Sequence, residues 1–274
     1  VSLAAALFVT AAAAVAGPLM LMLAVTRTDT GPAASTLVST ATTLESGDST
    51  TTAPSTTVVE PASATSIVST LTDVSDIAAV AVASVVRVEM TVSFRGRERV
   101  AASGSGVIVD TGTIVTNAHV VGTGTGVSVT LNDGSTHPGT LVGVDTDHDL
   151  AVISIDSTDL TPVKFGSTED LLVGDPAIAI GYPLGLEGGP SVSTGIVSAK
   201  GRTITDSTAS LSGIIQTDAA ITEGSSGGAL LDAQGSLVGI TTAVGVSSVG
   251  IEGIGFAIPI ETIEQVLPEL LATG

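Results

Sequence analysis

The chain has 274 residues, a formal net charge of −19 and an isoelectric point near 4.1. That charge repels phosphates and argues against a nucleic-acid partner. The absence of cysteine removes disulfides, thiolate metal sites and Cys–His catalysis, and leaves the redox compartment open. The length suffices for a full-sized core, which Val, Ile, Leu and Ala must fill because aromatics make up only 2%.

Residues 1–26 carry no charge and are mostly Ala, Leu, Val and Met. They are long enough to cross a hydrocarbon core of about 30 Å. We read a transmembrane helix or signal anchor there. A cleaved signal peptide is the rival, although no basic residue precedes the run; a soluble core helix is the third reading. Val1 stands where Met is usual, which leaves room for missing upstream residues or a literally translated alternative start codon. Residues 27–72 are rich in Thr, Ser, Ala and Pro without apolar periodicity, so they cannot offset their ordering entropy. They read as a disordered stalk whose ends lie roughly 35–40 Å apart as a coil. Arg27 alone would draw its side of the membrane inward; the stalk composition, of the kind found outside membranes, points the other way.

The texture changes near Asp73, which can cap a short helix with Ile77, Val80 and Ala81 on one face. Ser84 to Val92 alternates as a strand. Arg95-Gly96-Arg97-Glu98-Arg99 reads as a solvated hairpin tip, with an anion site as the alternative. Val107 to Val109, Asp110-Thr111-Gly112 and Thr113 to Val115 form a hairpin signature. Further strands are expected at Val127–Leu131, Thr140–Val144, Leu150–Ile155, Ala177–Ile180, Val192–Ala199, Gly213–Gln216, Leu237–Val244 and Gly255–Ile258. Asn132-Asp133-Gly134 supplies a turn. Ile260 to Leu271 has helical period, with Pro268 expected to shorten or kink it. Short strands joined by turns, with almost no helix between them, predict an all-β fold of antiparallel barrels or sandwiches.

The chemistry concentrates in Thr217 to Leu230, where serines sit among glycines. A Gly/Ser turn is the plain reading. A nucleophile loop is the other: a serine needs a base, and its oxyanion needs backbone N–H groups aimed at one point. Gly224-Ser225-Ser226-Gly227-Gly228 also fits the G-x-S-x-G elbow, but that fold places its acid and histidine after the serine. His119, His137 and His148 all precede it. The order His, Asp, Ser remains, which is that of chymotrypsin-like proteases. His137, beside Pro138, reads as a surface residue. Asp145-Thr146-Asp147-His148-Asp149 opens like a calcium loop, but Leu150 and Ser157 occupy the positions that need Gly and Glu. Zinc held by His148 lacks a second histidine at helical spacing. Asp149 instead opens a strand, where a carboxylate can hold the ring N–H of His119.

Eight segments, in order across 73–274, resemble the successive signatures of the HtrA/Deg family of trypsin-like serine proteases. They are Thr116-Asn117-Ala118-His119-Val120-Val121, Asp149-Leu150-Ala151-Val152, Val173-Gly174-Asp175, Ala179-Ile180-Gly181-Tyr182-Pro183, Thr194-Gly195-Ile196-Val197-Ser198, Gln216-Thr217-Asp218-Ala219-Ala220-Ile221, Gly224-Ser225-Ser226-Gly227-Gly228 and Gly255-Phe256-Ala257-Ile258-Pro259. The resemblance implies two six-stranded antiparallel β barrels with the site between them. His119 and Asp149 would come from the first barrel and the nucleophile Ser226 from the second. It implies an oxyanion hole from the N–H groups of Gly224 and Ser226, with Ser225 beside them. Ala220 would floor an uncharged primary pocket walled by Thr241, Thr242, Ala243 and Gly255, suited to Val, Ala or Ile rather than Lys or Arg.

Three departures from the family pattern stand out. Ser225 replaces the usual Asn, and Ala229 the usual Pro. Thr222-Glu223 stands where Asn-Pro is usual. The peptide-binding PDZ domain of many members is not expected within 73–274. The reading is therefore a membrane-tethered, single-pass extracytoplasmic serine endopeptidase acting on misfolded or exposed polypeptides. It needs no metal or organic cofactor, and the resemblance adds a homotrimer. A non-catalytic peptide-binding chaperone or sensor using the same crevice is the alternative; a secreted adhesion domain on a Ser/Thr stalk is a second.

Overall fold

A computed structural model describes residues 73–272 except 158, 187, 206–209 and 244–252. The expected membrane segment and stalk, and the Val244 end of one expected strand, lie outside the described residues. No helix among the described residues is long and apolar enough to cross a membrane.

Helix α1 (Val74–Ala81) begins as expected, with the Asp73 carboxylate accepting the Ser75 N–H at 3.1 Å. Six strands follow: β1 (Val85–Phe94), β2 (Arg97–Asp110), β3 (Thr113–Thr116), β4 (Gly126–Thr130), β5 (Thr136–Asp145) and β6 (Leu150–Ile155). A one-turn helix, α2 (Ala118–Val121), lies between β3 and β4. These strands close into an antiparallel barrel in the order β1-β2-β3-β6-β5-β4. A second closed barrel takes β7 (Pro176–Gly181), β8 (Ser191–Thr205), β9 (Ser210–Thr217), β10 (Ala229–Leu231), β11 (Leu237–Thr242) and β12 (Gly255–Pro259), ordered β10-β11-β12-β9-β8-β7. Helix α3 (Ile260–Ala272) closes the described chain. The expected all-β pair of six-stranded barrels with a short C-terminal helix is what forms.

The residue pattern explains why two barrels pack as one body. Successive strand residues face opposite sides. In β6, Ala151 and Ile153 fill the first barrel, while Leu150 and Val152 join a core shared with the second. Both faces are therefore dry from Leu150 to Ile153, which read as an apolar run, and only Ser154 is exposed before Ile155. Leu230 and Val238 fill the second barrel, whereas Leu231, Leu237 and Ile240 enter the shared core. The cleft between the barrels is thus fixed by apolar packing rather than by a flexible hinge.

Some local expectations shift. The tip of the β1–β2 hairpin is only Arg95-Gly96, both at positive φ (53° and 73°), which suits a two-residue turn. Arg97 to Arg99 belong to β2. Strand β10 was not expected: three residues after a Gly/Ser loop show no alternation. Helix α3 runs through Pro268 because both Pro268 and Glu264 are exposed. The carbonyl that would have met the missing N–H can be hydrated.

Candidate active site

His119 lies in α2, directly after β3. Asn117 enters that turn fully buried, and its Nδ2 donates to the Asp149 carbonyl at 3.0 Å. Asp149 immediately precedes β6, with φ +56°, a conformation uncommon outside glycine. This aims its carboxylate back at α2. Three donors converge on that carboxylate. The His119 backbone N–H reaches Oδ1 at 3.0 Å, His119 Nδ1 lies 3.0 and 2.9 Å from Oδ1 and Oδ2, and the Thr242 hydroxyl donates to Oδ2 at 3.1 Å. A buried charge needs such partners, and the Asp149 side chain is only 5% exposed. With Nδ1 donating to Asp149, Nε2 is the atom left to take a proton. The imidazole is 40% exposed, so a ligand can reach it.

Ser226 comes from the second barrel and is buried. Its hydroxyl accepts the Ala243 N–H at 3.1 Å. Thr242 and Ala243 are consecutive, so the carboxylate of Asp149 and the hydroxyl of Ser226 are held against neighbouring atoms at the end of β11. No hydrogen bond joins His119 to Ser226 among the described residues.

The loop around Ser226 is tied at every step. Ser225 N–H donates to Thr222 O, Gly227 N–H to Thr241 O and Gly228 N–H to Ser225 O, at 2.8–3.0 Å. The Glu223 carbonyl accepts Leu184 N–H at 2.7 Å. Because the peptide is planar and trans, the Gly224 N–H on the other side of that bond points away from Leu184. Gly224 has φ +88°, and a Cβ there would stand 2.6 Å from both Leu184 N and Tyr182 O. Only glycine allows this path. Of the three expected oxyanion donors, the N–H groups of Gly224 and Ser226 have no partner among the described residues; that of Ser225 is taken up in the turn.

The residues expected around the primary pocket divide. Ala220 and Thr241 line a cavity of about 130 Å³ that also meets Thr222 and Ser225 and, among the described residues, has no ionisable side chain in its wall. Thr242, Ala243 and Gly255 do not line it. Thr241 uses its hydroxyl on the Ser225 carbonyl at 2.6 Å, and Thr242 uses its own on Asp149. Gly255 is buried in β12, paired with Thr217. His148 and His137 lie elsewhere. His148 Nδ1 pairs with Asp145 Oδ2 at 2.7 Å in an exposed turn, and His137 Nε2 meets Ser135 Oγ at 3.1 Å in β5. Burial alone would push the Asp145 carboxyl up, but hydrogen bonds from His148 and the Asp147 N–H hold it below its ordinary value.

Ser105 was not foreseen. It is fully buried on β2 and clamps the two barrels together at the loop. Its N–H donates to Ser226 O at 2.8 Å, its hydroxyl donates to Gly224 O at 2.8 Å, and Ser105 Oγ in turn accepts the Tyr182 N–H at 2.8 Å. Thr116 Oγ1 donates to its carbonyl at 2.6 Å. The signal was Gly104-Ser105-Gly106, a small polar triplet leading into the apolar part of β2.

Known proteins resemble this chain in sequence and fold. The trypsin-like peptidase domain family matches residues 104–240. A probable periplasmic serine endoprotease, DegP-like, of Chlamydia pneumoniae is 45% identical over 175 residues, covering 64% of this chain and 35% of that protein. The serine protease PepD of Mycobacterium tuberculosis is 41% identical over 226 residues, covering 73% and 47%. The solved HtrA-type protease AlgW with a tripeptide aligns with a TM-score of 0.65 at 37% identity, covering 72% of this chain and 63% of that one. The chain thus spans from about a third to about half the length of these two sequence relatives. With the family match and the shared barrels in agreement, the chain belongs to the trypsin-like peptidase domain family and is similar within it to HtrA/DegP-type serine proteases.

Proposed function

We propose that this chain is a serine endopeptidase that cleaves exposed or misfolded polypeptide by acyl transfer. The observation that carries this reading is the pairing of the Asp149 carboxylate with His119 Nδ1, bridged through Thr242 and Ala243 to the Ser226 hydroxyl. His119 Nε2 takes the proton as Ser226 Oγ attacks the scissile carbonyl. Asp149 holds the imidazole in the required tautomer and stabilises the imidazolium. The N–H groups of Gly224 and Ser226 receive the oxyanion. His119 then gives its proton to the departing amine, and water resolves the acyl-enzyme by the same steps. An uncharged pocket at Ala220 favours a small aliphatic residue before the cleaved bond. We place the domain of residues 73–274 outside the cytoplasm, tethered through residues 1–26 and a stalk of residues 27–72, as the apolar run and the Ser/Thr-rich composition suggest. A homotrimer remains part of this reading on resemblance alone.

Casein digestion by wild type, Ser226→Ala and His119→Ala tests it, alongside fluorophosphonate labelling. We expect both variants to lose about 10⁶ in rate, and the label to attach at Ser226 only. Equal digestion by wild type and Ser226→Ala would remove the assignment. Peptide binding without any labelling would favour a non-catalytic binding module.

A further inference from the structure

A hollow of about 340 Å³ lies next to Gly224, bounded by Val100 to Ser103 of β2, by Leu184 and Gly185, and by Glu223. It shares no residue with the uncharged cavity at Ala220. Its rim is apolar: Val100 and Leu184 are 57% and 67% exposed. Glu223 is the only ionisable residue lining it among the described residues. The Glu223 backbone is anchored through its carbonyl to Leu184 N–H, and its exposed side chain has no hydrogen-bond or ion-pair partner among the described residues. Leu184 itself is held at φ +58°, where a leucine is strained, so the wall beside Glu223 is a defined feature rather than a free loop.

This hollow lies on the leaving-group side. The acyl part of a substrate belongs toward Ala220 and the end of β11, where Ala243 meets Ser226. The chain then crosses the Gly224 N–H and leaves between β2 and Leu184. In an extended chain, alternate side chains share a face. The residue before the cleaved bond and the second residue after it therefore both turn toward the loop of residues 220–226.

We propose that this hollow is a subsite for the second residue after the cleaved bond, and that Glu223 selects lysine or arginine there. The long aliphatic stem of such a residue lies along Val100 and Leu184 while its charged head reaches the carboxylate. This rests on the endopeptidase reading above.

Internally quenched peptides test it, with a fixed Val before the cleaved bond and Lys, norleucine or Glu at the second position after it. A control peptide carries the Lys four residues further along. At an ionic strength of about 0.15 M, where charges beyond about 8 Å are screened, kcat/KM should favour Lys over Glu by about tenfold. The displaced Lys should confer less than half of the gain over norleucine. Glu223→Gln should reduce the Lys/Glu ratio to below about three, and Glu223→Lys should invert it. Cleavage with no preference at this position, an equal gain from the displaced Lys, or an unchanged ratio in Glu223→Gln would each overturn the inference alone. Failure of wild type to cleave any peptide would sink the endopeptidase reading and this inference with it.

Discussion

At the scale of single residues, the site depends on polar atoms that cross from one barrel to the other. Ser105 is the densest case. Replacing it with alanine leaves the Gly224 carbonyl and the Tyr182 N–H buried and unpaired, each worth about 1–3 kcal/mol. We expect Ser105→Ala to lower stability by about 2–4 kcal/mol in urea titration. We also expect kcat to fall more than KM rises, because the loop that carries the proposed oxyanion donors loses its tether. Unchanged stability would mean that the hydroxyl does not hold the loop. The pairing of His119 with Asp149 was legible, and Ser226 was singled out, because each sits in a short segment of unusual composition. Ser105 was not: its role comes from atoms 119 and 77 positions away, and nothing in a single strand reports such distances.

At the scale of elements, α3 joins the second barrel to the segment that connects the barrels. Glu261, in its first turn, accepts the Thr168 N–H at 2.6 Å, the Thr168 hydroxyl at 2.8 Å and the Ser167 hydroxyl at 3.3 Å. Lys200 of β8 donates to the Thr168 and Leu171 carbonyls, both at 2.6 Å. Partial burial would raise the Glu261 carboxyl, but the hydrogen bonds from Thr168 and Ser167 outweigh it and hold it below its ordinary value. A carboxyl lowered by folding adds stability above its unfolded value of about 4.3, and that stability is lost as pH falls through the lower folded value. Glu261→Gln should therefore reduce the melting temperature by about 1–3 °C at pH 7. The gap should close as pH drops below about 4. A gap that persists undiminished at pH 3 would assign the effect to shape rather than charge. The apolar period of α3 announced the helix, but its partners could not be read from it. Its buried face, Ile260, Ile263, Val266 and Leu270, enters the core shared by both barrels.

At the scale of the whole molecule, the chain carries a net charge of −19, while the cavity at Ala220 has no ionisable side chain in its wall among the described residues. Long-range attraction and local recognition should therefore separate by their response to salt. A peptide of net positive charge should lose kcat/KM as ionic strength rises from about 0.01 to 0.15 M, where the screening length shortens from about 30 to about 8 Å. A neutral peptide of the same scissile sequence should change little. Parallel salt profiles for the two would show that the overall charge does not steer substrate. The preference assigned to Glu223 acts at contact distance and should outlast this screening.

By itself the sequence determined the strand-rich texture, the closing helix, the order of histidine, aspartate and serine, and the glycine path around Ser226. These are local matters: periodicity, turn chemistry and residue type over a few positions carry them. Only the tertiary structure decided that Leu150 to Ile153 is apolar on both faces because one fills a barrel and the other meets its neighbour. Folding likewise decided that Thr241 and Thr242 turn their hydroxyls onto the Ser225 carbonyl and the Asp149 carboxylate, and that Ser105 ties the loop around Ser226 to the opposite barrel. Those roles arise when strands far apart in the chain are closed into barrels and packed together. A side chain's partner is then set by three-dimensional proximity, which no window of sequence contains.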